Sequence, residues 1–445
     1  MRLVHAALYH VIQAARREPV LRALRELEES QWWSEKKLRE EQARKVRGVL
    51  AAAARTPHYS KAWAAADVSP GSFVSLDDLA RFPILEKKQL RADPASIRNP
   101  DYRGPVNTHV TTGSSGVPLE VIRSRSAGAY GRASQLRGRS WHGLRLGDRE
   151  VRFGGLALES LGRFRARLID LLMNRIRLNP IDLSDARLAF CLDLIRRTHP
   201  RCLYGYPSAL SVLAAYAERT GGGLGLGLKA VICSSERLFD HRRGMIARAF
   251  GCPVVDEYGA AEVSILAMEC LNRSLHQASE SVYIEIIRDG KPVRPGNEGE
   301  VVVTDLNNLA APLVRYRLGD RARLLSDPCK CGRGLPTMEV LEGSSFGFIQ
   351  LPDGRTLSGV AFYFLAESLI MRPDAGLAEI VILRRGNRFK ARAVPRPAGN
   401  SMHQDELRHR LSDLLGAGAV VEIELVDRID RQGGDKYRIL IEEPE

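Results

Sequence analysis

Four stretches of the 445-residue chain carry side chains whose types and spacing could do chemistry. In Thr111-Thr112-Gly113-Ser114-Ser115-Gly116-Val117-Pro118, small hydroxyl residues and glycines run between two extended stretches, 107–110 and 119–122. Backbone N–H groups in such a run can turn inward as an anion nest, and the hydroxyls add donors for phosphate oxygens. Asp256-Glu257-Tyr258-Gly259-Ala260-Ala261-Glu262 sets carboxylates, the ligands a hard divalent cation prefers, beside an aromatic ring. Arg315-Tyr316-Arg317-Leu318-Gly319-Asp320 ends on a carboxylate able to accept two hydrogen bonds. In Cys329-Lys330-Cys331 two thiols need only two further ligands to complete tetrahedral zinc, and Cys270 and His276 are available. Four protein ligands leave no open position, so such a site would be structural. Taken singly, these stretches read as a solvated loop, a strand-end turn, a hairpin turn with a surface ion pair, and scattered core or surface residues.

Their order along the chain resembles the adenylate-forming (ANL) superfamily, and within it the phenylacetate–CoA ligase and CapK-like family. The resemblance implies that Thr111, Thr112, Gly113, Ser114, Ser115 and Gly116 form the loop that binds ATP phosphates, with Val117 where a basic residue is usual. It implies that Tyr258 stacks on adenine, that Glu257 and Gly259 flank it, and that Glu262 is catalytic and holds the Mg²⁺ bridging the phosphates. Ser235 and Glu236 would lie beside the adenine, and Asp320 would accept both ribose hydroxyls. Lys436, in Gly433-Gly434-Asp435-Lys436-Tyr437-Arg438, matches the catalytic lysine that stabilises charge on the α-phosphate. A Cys-x5-His paired with a later Cys-x-Cys occurs in some members of the subfamily, which makes Cys270, His276, Cys329 and Cys331 the zinc candidates. Further matches are Gln31-Trp32 through Tyr59, Phe82-Pro83-Ile84-Leu85 with Lys87, and Tyr204-Gly205-Tyr206-Pro207-Ser208. The family hinge, Glu-x-Gly-Arg-x-x-Asp, is replaced by Glu342-Gly343-Ser344 and a following Gly347.

The function so implied is ATP-dependent activation of a carboxylate to an acyl-adenylate, with AMP and pyrophosphate as products. Transfer to the thiol of CoA or of a carrier-protein phosphopantetheine would follow. The alternatives are amide formation with an amine, and a non-catalytic nucleotide-binding pseudoenzyme. The carboxylate pocket is expected around residues 141–144, 204–207 and 234–236.

The elements that must position these residues are partly legible. Residues 1 to about 105 read as helical, with an amphipathic helix over 34–54 that Thr56-Pro57-His58-Tyr59 stops. From about 106 to 340, strands such as Val231-Ile232-Cys233, Val254-Val255 and Val301-Val302-Val303 alternate with helical stretches, which implies an α/β sheet. Beyond 343 the pattern changes to a hairpin around Arg385-Gly386-Asn387, a helix over 404–415 and a strand over 420–426. The fold class is therefore a large N-terminal α/β adenylating domain, 1–342, joined by a hinge to a small mobile α+β domain, 343–445.

Length favours more than one domain. The formal charge of +13 is spread along the chain with acidic residues mixed in, and no nucleic-acid module is recognisable. A basic surface attracting ATP or CoA is the simpler reading, without specific nucleic-acid binding. Seven scattered cysteines exclude a disulfide scaffold. No signal peptide or membrane span is recognisable, so a cytoplasmic protein acting on a small-molecule carboxylate is expected, with homodimer formation left open.

Overall fold

The computed structural model describes residues 2–16, 18–111, 119–154, 167–178, 183–342, 348–351, 353–359, 361–362, 365–366, 369, 377–395, 404–429 and 440–442. The region before the first strand is helical: α1 (Arg2–Arg16), α2 (Val20–Ser30) and α3 (Glu35–Ala53) follow one another. Ser34 caps α3 by accepting from the Lys37 N–H, and the Leu38, Val46, Val49 and Leu50 face is buried. The stretch expected to end this helix also begins the next. Thr56 accepts from the Tyr59 N–H, and Pro57 occupies the first turn of α4 (Pro57–Ala65), where a missing N–H is tolerated. A short α5 (Lys87–Ala92) comes next.

β1 (Val106–Thr111) and β2 (Leu119–Ser124) pair antiparallel along their whole length. They lead into α6 (Arg125–Ser140). The main sheet comprises β3 (Glu150–Phe153), β4 (Arg175–Leu178), β5 (Cys202–Gly205), β6 (Ala230–Ser234), β7 (Val254–Ala260), β8 (Ser264–Glu269), β9 (Leu275–Gln277), β10 (Val282–Arg288), β11 (Lys291–Pro292), β12 (Glu298–Asp305), β13 (Tyr316–Leu324) and β14 (Thr337–Glu342). These twelve strands lie in the order β11-β10-β12-β13-β14-β9-β8-β7-β6-β5-β3-β4.

Strands β4, β3, β5, β6 and β7 are parallel, with helices Asp185–Thr198, Pro207–Thr220 and Asp240–Phe250 in the connections. Every residue of β6 is buried, as a parallel strand covered on both faces requires. From β7 to β8 the sheet turns antiparallel. The carboxyl ends of β5, β6 and β7 therefore lie side by side, where open α/β sheets bind ligands. Helix α6 lies against β8 at two glycines: a Cβ on Gly131 would collide with Ser264, and one on Gly138 with Met268.

The C-terminal region has its own layer. β15 (Phe348–Gln350) and β16 (Thr356–Ser358) form a small hairpin. β17 (Leu377–Arg385), β18 (Arg388–Pro395), β19 (Val420–Leu425) and β20 (Leu440–Glu442) form a four-stranded sheet in the order β19-β18-β17-β20. Helix Gln404–Leu415 packs Leu407, Leu411 and Leu415 into a core with Ile380, Ile382 and Phe389. The chain thus has the expected mixed α/β class, a large sheet unit followed by a smaller α+β unit. The expected division at 342 falls at the end of β14, and 343–347 lie outside the described residues. No described helix is long and apolar enough to cross a membrane.

The N-terminal helices are pinned to the sheet by buried ions. Arg137 of α6 donates through Nη1 to Glu280 Oε1 at 2.6 Å and to the Leu27 carbonyl at 3.1 Å, and Ser30 donates to the same carboxylate oxygen. Arg137 and Glu280 are both buried. Removing one partner strands the other charge in the interior, so Arg137→Ala should cost about 3–5 kcal/mol. Denaturant unfolding measures the loss, and a change below about 1 kcal/mol would show that the bridge does not hold the helices.

Candidate active site

Two of the sequence motifs meet at a single hydrogen bond. The Tyr258 hydroxyl, near the end of β7, donates to Asp320 Oδ2 in β13 at 2.8 Å. Burial and the neighbouring Asp320 push the tyrosine well above its ordinary value, so it remains a donor. Both line a cleft of about 500 Å³ together with Ser235, Glu236, Glu257 and Gly259. Six residues expected beside a nucleotide thus share one wall at the carboxyl ends of β6 and β7.

Two of the six already have work. Glu236 accepts from the backbone N–H and hydroxyl of Ser208, at 2.9 and 2.7 Å, and so caps the helix Pro207–Thr220. Glu257 accepts from the Tyr204 hydroxyl at 2.8 Å and from Gln135 Nε2 at 3.1 and 3.2 Å. Their carboxylates organise the walls of the cleft. Ser235 holds the left-handed region at φ +70°, turning the chain sharply after β6.

Glu262 sits in the turn between β7 and β8 with 6% of its side chain exposed. Lys87, at the start of α5, places its ammonium 2.8 Å from the carboxylate. The Tyr316 hydroxyl donates from β13 at 3.2 Å. Burial opposes ionisation, but Lys87 and Tyr316 outweigh it and hold Glu262 below the usual carboxylate range. A buried carboxylate held ionised, near enough to Tyr258 to act on it electrostatically, has the chemistry of a ligand for a hard divalent cation. Sequence reasoning singled out Lys87 for its segment alone and missed this pairing. A lone lysine 175 positions from its partner leaves no periodic signal.

The phosphate-loop candidates divide. Thr111 ends β1, paired in register with Leu119. Thr112, Gly113, Ser114, Ser115 and Gly116 lie outside the described residues, as do Val117, Ser344, Gly347 and Lys436.

The metal candidates converge. One ligand atom each from Cys270, His276, Cys329 and Cys331 lies within 4.8 Å of all the others. Cys270 Sγ is 3.6 Å from Cys329 Sγ, and Cys331 Sγ is 3.2 Å from His276 Nε2. His276 Nδ1 faces the Leu335 carbonyl at 2.9 Å, which can only accept, so Nδ1 carries the proton and Nε2 keeps its lone pair.

The expected pocket around Trp141 requires correction. Trp141 is buried with its ring centroid 5.7 Å from that of His276, and its indole N–H donates to Gln31 at 2.9 Å. It packs beside the cysteine–histidine cluster and does not line the cleft, because α6 ends there with its last turn against β8.

Asp256 also lines the cleft. Burial and the nearby Glu269 carboxylate push it up to about 7. A raised folded-state value means that stability is fully present below the unfolded value of about 3.9 and is lost as pH rises through about 7. Asp256→Asn should therefore gain in melting temperature relative to wild type between pH 4 and 7, and level off above. A difference that stays constant across that range would refute the assignment.

Comparison with known proteins bears on this geometry. No family model matches the chain. The phenylacetate–coenzyme A ligase of Escherichia coli (strain K12) is 28% identical over 410 residues, spanning 86% of this chain and 90% of that protein. The phenylacetate–coenzyme A ligase of Pseudomonas putida is 29% identical over 304 residues, 65% of this chain and 67% of that one. Protein CapK of Staphylococcus aureus is 25% identical over 152 residues, a third of each chain. Among solved structures, 2-hydroxyisobutyryl-CoA ligase in complex with 2-HIB-AMP and CoA superposes with a TM-score of 0.61 at 21% identity, covering 93% of this chain and 91% of that one.

Proposed function

We propose that this relative of the phenylacetate–CoA ligases, built on the fold of the adenylate-forming superfamily, uses ATP to activate a carboxylate as an acyl-adenylate and passes the acyl group to the thiol of CoA. The observation that carries the reading is the Tyr258–Asp320 hydrogen bond in the cleft at the carboxyl edge of the parallel strands, with the Lys87-bound Glu262 near enough to act electrostatically on Tyr258. A relative named as a CoA ligase, matched over nine-tenths of its own length, adds support.

In the first step, a carboxylate oxygen attacks the α-phosphorus of ATP, the bond to the bridging oxygen breaks, and pyrophosphate leaves with the electron pair. The protein has little covalent chemistry to perform. Its task is to hold the carboxylate and α-phosphate in line and to stabilise charge on the phosphate. Tyr258 offers a ring face to the base, and Asp320 offers carboxylate oxygens to the ribose hydroxyls. Thr111–Gly116 would donate to the phosphates, and Lys436 would meet charge developing at the α-phosphate. Glu262 fits as the Mg²⁺ ligand, since its buried carboxylate already holds one cation in this structure. When bound, the metal would neutralise phosphate charge. In the second step, a thiol sulfur attacks the acyl carbon and AMP leaves with the former carboxylate oxygen. The thiol proton passes to solvent or to AMP. A carrier phosphopantetheine ends in the same thiol, and product mass separates the two acceptors.

ATP–pyrophosphate exchange across a carboxylate panel tests this reading. Wild type should exchange with at least one acid. Glu262→Gln should lower the rate by about 100-fold or more in protein that stays folded by circular dichroism, its melting temperature falling as Lys87 loses its buried partner, and Asp320→Ala should raise KM for ATP by about tenfold. Wild-type kinetics in both variants would overturn the assignments.

The cysteine–histidine cluster fits tetrahedral zinc. Zn–S bonds of about 2.3 Å set two sulfurs about 3.7 Å apart, close to the 3.6 Å between Cys270 and Cys329. Purified protein should carry about one zinc per chain by elemental analysis. Chelation should lower the melting temperature by several degrees, because binding energy at a structural site is folding energy. Metal-free protein that melts unchanged would exclude the site.

A further inference from the structure

A second cleft, of about 710 Å³, opens on the other side of the β7–β8 hairpin. Its walls come from β1 and β2 (Asn107, Thr108, Arg123), from α6 (Arg125, Arg132, Gln135), from β3 (Arg152) and from the start of β8 (Ser264, Ile265). Two links join it to the nucleotide cleft. Gln135 lines this cleft and donates to Glu257, which lines the other. Ser264 and Ile265 follow Glu262 after a single intervening residue and pair with Ala260 and Gly259. The second cleft therefore adjoins the site where the substrate carboxylate must meet the α-phosphate.

Its chemistry is unusual for an acyl pocket. Such pockets are mostly apolar, yet Val106 and Ile265 are the only sizeable apolar side chains among the described residues that line it. Four guanidiniums line it, against the single carboxylate of Glu18. The carboxylates behind the wall do not balance this charge. Arg123 faces Asp305 at 3.4 Å and leaves its buried Nε without a hydrogen-bond partner among the described residues. Arg152 bonds Glu150, which Arg139 and Arg175 also share, Arg175 having Asp170 as well at 3.8 Å. The Arg152 Nη2 is buried and has no hydrogen-bond partner among the described residues. Arg132 is exposed and makes no ion pair among the described residues. An apolar chain placed here would strip water from these groups and return nothing, whereas an anion would satisfy them.

We propose that the arginine-lined cleft binds a second anionic group on the substrate acid. The molecule activated is then a dicarboxylate or a phosphorylated acid, one carboxylate reacting at the α-phosphate while the other anion is held by Arg152 and Arg132. This rests on the carboxylate-activating reading of the nucleotide cleft. Other anions could exploit the same charge, the phosphates of CoA among them, and the experiment separates these sources.

ATP–pyrophosphate exchange with the full chain is measured with glutarate against pentanoate, and with phosphoglycolate against glycolate. Wild type should favour the doubly anionic member of at least one pair by about tenfold or more in kcat/KM. Arg132→Gln, at an exposed position, should erase most of that preference through KM while leaving KM for ATP and the melting temperature unchanged. Arg152→Gln should erase the preference likewise through KM, with a lower melting temperature because it also gives up its ion pair with Glu150. Equal or better use of the singly charged acids overturns the proposal. So do arginine variants that raise KM for CoA and leave the acid untouched. Calorimetric titration with glutarate and phosphoglycolate, without ATP, keeps the two readings apart. If no acid supports exchange, the activation reading falls, and arginine-dependent binding of these probes alone still supports the anion cleft. If neither probe binds, or both bind the two variants as tightly as wild type, the anion cleft falls.

Discussion

Glu262 is carried into the interior on the turn between β7 and β8, and an isolated carboxylate there would cost several kcal/mol. The chain meets this demand with the Lys87 ammonium at 2.8 Å and the Tyr316 hydroxyl at 3.2 Å. Those partners come from α5 and from β13, so one charge ties three distant segments together. The same solution recurs. Glu285 is matched by the buried Arg315, whose guanidinium also donates to the Ala80 and Phe82 carbonyls. Leu85 exchanges backbone hydrogen bonds with Arg315 and Arg317, the only pairing of the N-terminal segment with the main sheet among the described residues. These buried ions give the helical N-terminal region a fixed place against the strands, and so bring Lys87 beside Glu262.

The change from parallel to antiparallel order at β7 and β8 decides where ligands can bind. Parallel strands end together and leave a crevice, while the antiparallel partner folds back and closes its side. The hairpin therefore separates two clefts. One presents Tyr258 and Asp320, suited to a nucleoside. The other presents arginines and suits an anion. Gln135 and Glu257 form their common wall, with the Tyr204 hydroxyl closing the contact. Reaching both clefts from one helix requires α6 to lie close to β8, which Gly131 and Gly138 permit.

The cysteine–histidine cluster serves a different purpose. It joins the turn after β8 to the loop before β14, and His276 pairs with Thr337 across β9 and β14. Trp141, at the end of α6, packs against the same cluster and bonds Gln31 just after α2. A metal there would fasten helix and sheet, and none of its four ligands lines the cleft of Tyr258 and Asp320.

What the sequence determined by itself was local or periodic. Ser34 and the apolar spacing after it specify α3, and the apolar run over 231–233 specifies a strand covered on both faces. The helix over 404–415 and the hairpin about Gly386 follow from the same signals. The nucleotide motifs were legible because each is a short contiguous string whose order matches a known family. Tertiary structure alone decided what depends on residues far apart. It set Glu236 and Glu257 to brace the walls, placed Trp141 beside the cysteine–histidine cluster, and paired Lys87 with Glu262. It also gathered Arg123, Arg132 and Arg152 from a strand, a helix and a second strand into one cleft. Long flexible side chains leave no periodicity in sequence, and their charges act through space, so only packing could reveal which carboxylate each one meets.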